Sequence, residues 1–96
     1  MGKLLVASVA ESEFTEALAW YAERSMLAAE GFSAEFDRAL DTISSDPLRF
    51  PLCDGRHRFF LMSRFPYQII YRDHGDDWIV IAVAHTKRRP DYWSGR

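Results

Sequence analysis

The run Trp78-Ile79-Val80-Ile81-Ala82-Val83-Ala84-His85 is apolar at its first seven positions and rich in β-branched residues, the pattern of a strand rather than a helix. Alternation along a strand sends Ile79, Ile81, Val83 and His85 to one face and Trp78, Val80, Ala82 and Ala84 to the other. Both faces are then apolar, so this strand belongs in the middle of a sheet with cover on each side. Only 96 residues, 11.1 kDa, are present to supply that cover. A chain of this length sustains one core, and residues 1–96 are read as a single domain.

One cover comes from the first half. Phe14, Ala17, Leu18 and Tyr21 fall on one helical face, with Glu13, Glu16 and Glu23 opposite, so an amphipathic helix is expected from Ser8 to about Arg24. Ser8-Val9-Ala10-Glu11 has the spacing of a capping box at its start. A second stripe, Phe32, Phe36, Ala39, Leu40 and Ile43, ends before Pro47, which disfavours helix at Asp46. The stripes are out of phase with one continuous helix, and a helical hairpin is expected, broken near Ser25-Met26-Leu27-Ala28. Asp46 to Gly55 reads as loop. Arg58–Met62, Tyr67–Arg72 and Trp78–His85 then read as an antiparallel meander, after a short first strand at Lys3–Ala7. The order βααβββ makes an α+β fold: a helical hairpin on one face of a small, mainly antiparallel four-stranded sheet. Pattern alone leaves the place of the first strand open.

The second face must be closed by the tail, Thr86 to Arg96, or by another protein. Small residues at Ala82 and Ala84 leave room for a partner, with Trp78 on the same face. Trp20, on the polar edge of the first helix, is a further contact candidate, because an exposed tryptophan is a favoured interface anchor.

The single cysteine, Cys53, permits no internal disulfide and fits a reducing compartment. Cys53 and His57 are four apart with no second pair, so no metal site is expected. No apolar run approaches the roughly 18 residues of a membrane span. Lys3-Leu4-Leu5-Val6-Ala7 is too short for a secretory leader, and a cytoplasmic protein is expected. Net charge is −2, but residues 1–54 carry ten acids against four cations, and residues 55–96 carry eight cations against four acids. Ten of the twelve cations are arginine, suited to carboxylate and phosphate recognition. The arginine-rich half therefore either meets an acidic or polyanionic partner or neutralises the acidic half.

The segments Arg64-Phe65-Pro66-Tyr67-Gln68-Ile69-Ile70-Tyr71-Arg72, Ile79 to His85 and Arg88-Arg89-Pro90-Asp91-Tyr92-Trp93 resemble the RelE/ParE superfamily of toxins from type II toxin–antitoxin systems. Trp20-Tyr21 and Asp46-Pro47-Leu48-Arg49-Phe50-Pro51 extend the likeness over nearly the whole chain. The resemblance implies a toxin neutralised by a cognate antitoxin that wraps it. It implies either inhibition of DNA gyrase, as in ParE-like members, or cleavage of messenger RNA on the ribosome, as in RelE-like members. The chain looks closer to the ParE-like, plasmid-stabilisation branch, and a gyrase inhibitor without metal or organic cofactor is expected. The effector surface is then placed at Arg88, Arg89, Tyr92 and Trp93. A third reading is a degenerate member that binds its antitoxin and regulates their operon.

Ribonuclease chemistry would need a base for the 2′-hydroxyl, cations for the phosphorane and an acid for the leaving oxygen. His85, Arg64, Arg72 and Tyr92 are the candidates. Against them, ParE-like members also carry a histidine at this strand end, and Tyr92 and Trp93 serve equally well to anchor the tail. The chain has only two lysines, Lys3 and Lys87, where some RelE-like enzymes use a cluster. All six glutamates fall in the helical hairpin, behind the sheet from a substrate cleft.

Overall fold

A computed structural model describes residues 2–96, leaving Met1 outside the described residues. Its elements run β1 (Leu4–Val6), α1 (Ser8–Arg24), α2 (Met26–Ser45), β2 (Arg58–Leu61), β3 (Tyr67–His74) and β4 (Asp77–His85), the expected βααβββ order. A single extended residue, Ser25 (φ −165°, ψ 117°), separates the helices. Its N–H donates to the Tyr21 carbonyl and its Oγ accepts the Ala28 N–H at 3.1 Å, so one residue closes α1 and caps α2. The expected capping box at Ser8 does not form. Ala7 is the N-cap and makes no side-chain bond. Its N–H continues the strand ladder to the Val80 carbonyl at 2.9 Å, which places Ser8 one residue inside the helix.

The sheet order is β1-β4-β3-β2, with β1 parallel to β4 and the other pairs antiparallel. The first strand therefore lies beside the last, pairing Leu4–Val6 with Trp78–Val80 only. The β3–β4 hairpin turns on Gly75 and Asp76, later than expected, and β3 extends through His74. Gly75 has φ 62°, which a glycine adopts without strain.

Ile70 pairs with Ala82 but Tyr71 with Val80, so Ile81 is an extra residue in β4. This β-bulge breaks the expected alternation. Trp78, Val80 and Val83 face the helices, in a core with Phe14, Phe32, Phe36, Ile69 and Tyr71. Ile79, Ile81, Ala82 and Ala84 share the other face with Phe59 and Ile70.

That second face is closed by the chain itself. Trp93, only 6% exposed, packs on it with Tyr92 beside it, and its ring meets the buried His57 ring edge-on at 5.0 Å. Ala82 and Ala84 are consequently buried, and the opening inferred there for a partner is filled by the tail. Trp78 faces the helix-side core, 5.8 Å from the Tyr71 ring, on the opposite side of the sheet from those alanines.

Candidate functional site

Where β1 ends, the edge of β4 away from β3 continues without a strand neighbour, and side chains take the missing strand's place. Glu13 of α1 accepts the Val83 N–H at 2.9 Å, and Arg96 donates to the Ile81 carbonyl at 3.0 Å. The two also pair with one another at 3.1 Å. The carboxylate further accepts the Tyr92 hydroxyl at 2.9 Å and lies 3.5 Å from Arg88. Burial, then the bond to Glu13, pushes the Tyr92 phenol up to about 12. Tyr92 is thus a standing donor at neutral pH. The sequence pattern puts Glu13 on the polar face of its helix and behind the sheet, yet its side chain is only 9% exposed. It instead ties α1, β4 and the tail together.

Next to this knot, between α1 and the C-terminal end of β4, lies a groove of about 410 Å³, lined among others by Trp20, Tyr21, Tyr67, Glu16, His85 and Arg88. Trp20 is half exposed, as its place on the helix edge suggested, and carries the Arg24 guanidinium 3.7 Å above its ring. Burial, then the nearby Tyr21 and Glu16, raises the Tyr67 phenol above its ordinary value.

His85 rests against the Tyr67 ring at 5.0 Å, and its Nδ1 accepts the backbone N–H of Lys87 at 3.0 Å. That bond requires a lone pair on Nδ1, so the neutral ring carries its proton on Nε2. A base in the groove needs a bare Nε2, which would put a proton on Nδ1 facing another N–H donor. In this arrangement His85 presents a hydrogen-bond donor at Nε2.

The remaining nuclease candidates are each bonded to other groups. Arg64 pairs with Glu35 of α2 at 3.6 Å, and Glu35 also accepts the Ser63 N–H at 2.5 Å, pinning the β2–β3 turn. Arg72 donates to the carbonyls of Arg96 at 3.0 Å and Asp73 at 2.9 Å. It pairs with Ile79, whereas His85 pairs with Tyr67, five positions back along β3. At the rise of a strand that is roughly 17 Å, and the Arg72 side chain lies on the tail face. Tyr92 lies under Arg88, which lines the groove, and its hydroxyl is held by Glu13.

Arg88 and Arg89 are exposed, and the Arg88 guanidinium stacks 3.8 Å over Tyr92. Trp93 of the proposed effector surface is buried as the anchor of the tail. The Cys53 thiol contacts the His57 carbonyl at 3.4 Å, while the His57 Nδ1 faces Asp54 at 3.0 Å. Among the described residues no helix is long and apolar enough to cross a membrane.

Residues 4–90 match the family model described as the ParE toxin of the type II toxin–antitoxin system parDE. A chain of a solved structure titled "Chromosomal ParDE TA system from P. aeruginosa" superposes with a TM-score of 0.80 at 12% identity. The match covers 91% of this chain and 98% of that one. No curated protein matches in sequence.

Proposed function

The chain belongs to the ParE toxin family of type II toxin–antitoxin systems, and from that premise we propose that it acts in the cytoplasm by binding and inhibiting DNA gyrase. A cognate antitoxin neutralises it. The observation that supports this reading over RNA cleavage is the hydrogen bond from the Lys87 N–H to His85 Nδ1, which occupies one ring nitrogen of the histidine that lines the groove. Arg72, bonded to the Arg96 and Asp73 carbonyls, lies far along the hairpin from His85, and Arg64 is paired with Glu35.

The binding surface is the turn carrying Arg88 and Arg89 together with the rim of the Trp20–His85 groove. Arg88 and Arg89 give steering toward an acidic surface, and Trp20 offers exposed apolar area. The antitoxin contact is placed at Trp20 and along this groove, because Ala82 and Ala84 are covered by the tail.

The test is induction of the chain alone in its host, with plasmid topology and primer extension on abundant messages followed together. Loss of negative supercoiling with intact messages is the expected result. Codon-linked cuts in translated messages with normal supercoiling would overturn the reading.

A further inference from the structure

Arg88 and Arg89 are adjacent in sequence and differ in how they are held. The backbone of their turn is fixed by the Arg88 N–H, which donates to the His85 carbonyl at 3.0 Å, and by the Thr86 N–H, which donates to the Pro66 carbonyl at 2.8 Å. From that base the Arg88 guanidinium reaches over the Tyr92 ring, 3.8 Å from its centroid, with the Glu13 carboxylate 3.5 Å from one of its nitrogens. Arg89 is exposed, and among the described residues it makes no ion pair and lies over no ring.

Hydrogen bonds make the Tyr92 ring a fixed shelf. One Glu13 oxygen accepts the Tyr92 hydroxyl at 2.9 Å; the other accepts the Val83 N–H at 2.9 Å and an Arg96 N–H at 3.1 Å. The carboxylate is thereby anchored to β4, and the phenol to the carboxylate. At 3.5 Å the Arg88 contact is too long for a hydrogen bond, so Glu13 orients the guanidinium by charge and leaves its N–H donors free. The Arg88 side chain remains 54% exposed. An exposed guanidinium held in place suits a carboxylate, which it grips through two parallel N–H bonds. A mobile arginine has to be ordered at the moment of binding, which weakens a complex roughly two- to ten-fold, and an arginine already ordered avoids that loss.

We infer that Tyr92 and Glu13 are positioning residues for Arg88, and that Arg88 rather than Arg89 grips a carboxylate of the toxin's target. The inference rests on the reading that this turn meets the target, and it holds whether or not the target is gyrase. Arg89 supplies the longer-range attraction that speeds encounter.

The experiment induces full-chain variants in the host and reads the protein level needed for half growth inhibition, with plasmid supercoiling followed in the same cultures. Arg88→Gln is expected to raise that level about ten-fold or more, and Arg89→Gln about two-fold. Tyr92→Leu should raise it roughly three- to ten-fold, and Tyr92→Phe, which keeps the ring face, should recover all but about two-fold. In an Arg88→Gln background Tyr92→Leu should add nothing, because its effect runs through Arg88. In the isotope-labelled chain, spin relaxation of the arginine Nε–H groups should show Arg88 ordered and Arg89 mobile, and Tyr92→Leu should make Arg88 as mobile as Arg89. Equal losses for Arg88→Gln and Arg89→Gln would overturn the inference, as would a Tyr92→Leu loss that adds in full to that of Arg88→Gln, the mark of a purely structural effect. So would equal mobility of the two arginines in the wild-type chain, or a wild-type chain that does not inhibit growth. The expected ranking of variants with supercoiling unchanged would instead remove gyrase as the target and leave the role of Arg88 in place.

Discussion

The sheet face under the helices and the face under the tail are closed by different means. Beneath α1 and α2, Phe14, Phe32, Phe36, Tyr21, Phe65 and Tyr67 contact one another through several ring pairs, so each aromatic is supported by others. Beneath the tail, one indole, Trp93, covers Ile70, Ile81, Ala82 and Ala84. It is held there by polar bonds that meet at a single carboxylate, Glu13. The helix face is a redundant hydrophobic core. The tail face is a small apolar patch under a polar clasp, so its closure depends on a few named side chains.

The largest expected effect lies on the redundant side. Phe32 is fully buried between both helices and the β2–β3 turn, and Phe32→Ala should cost about 4 kcal/mol in denaturant unfolding, with all amides losing protection together. Trp93→Ala should cost less, about 3 kcal/mol, and hydrogen exchange should rise first in the tail and at Ile81–Ala84. If Trp93→Ala instead lowered protection uniformly, the two faces would form one cooperative unit and the contrast would fail.

Glu13→Gln keeps the side chain's shape but removes the charge that faces Arg96 and Arg88. A loss of about 2 kcal/mol is expected, with faster exchange at Val83. An effect indistinguishable from zero would mean that the tail is held by Trp93 alone.

The smallest expected effect is alkaline. Tyr71 on the helix face and Tyr92 at the clasp are each pushed up to about 12, in both cases chiefly by burial. The fold favours the neutral phenols, so their contribution is intact below pH 10 and is lost as pH rises from 10 through about 12. Phenolate absorbance should show Glu13→Gln lowering the Tyr92 value and leaving Tyr71 unmoved. A shift in both would couple the two faces electrostatically.

Most of the architecture was legible because periodicity reports burial. The stripes from Phe14 and Phe32 give both helices, and the change to alternation beyond Gly55 gives the meander. Local signals did less well where tertiary bonds outrank them. Ser8 and Glu11 have the spacing of a cap, yet the Ala7 N–H is claimed by Val80 and the helix starts a residue early. The bulge at Ile81 has no glycine or other local mark, so strict alternation put Ile81 beside Val83 and Ala82 beside Val80.

The candidate site was legible only in part. His85, Arg88, Tyr92 and Trp20 do gather about one region. Arg72 was grouped with them by residue type, a criterion that carries no distance, and it pairs with Ile79 far along the strand. Glu13 was missed because its bonds to Val83, Tyr92 and Arg96 span 70 to 83 positions. No local pattern reports contacts so far apart, although a glutamate next to the apolar stripe of α1 was the one available hint.

His85→Ala, induced in the host and checked for fold and antitoxin binding, tests the central claim that this toxin acts by binding rather than by moving protons. On the proposed reading His85 is a hydrogen-bond donor on a binding rim, worth about ten-fold at most, so growth inhibition and loss of supercoiling should persist at slightly higher expression. A fall in toxicity of roughly a hundred-fold or more, with fold and antitoxin binding intact, is the scale of a lost general acid or base and would contradict the account.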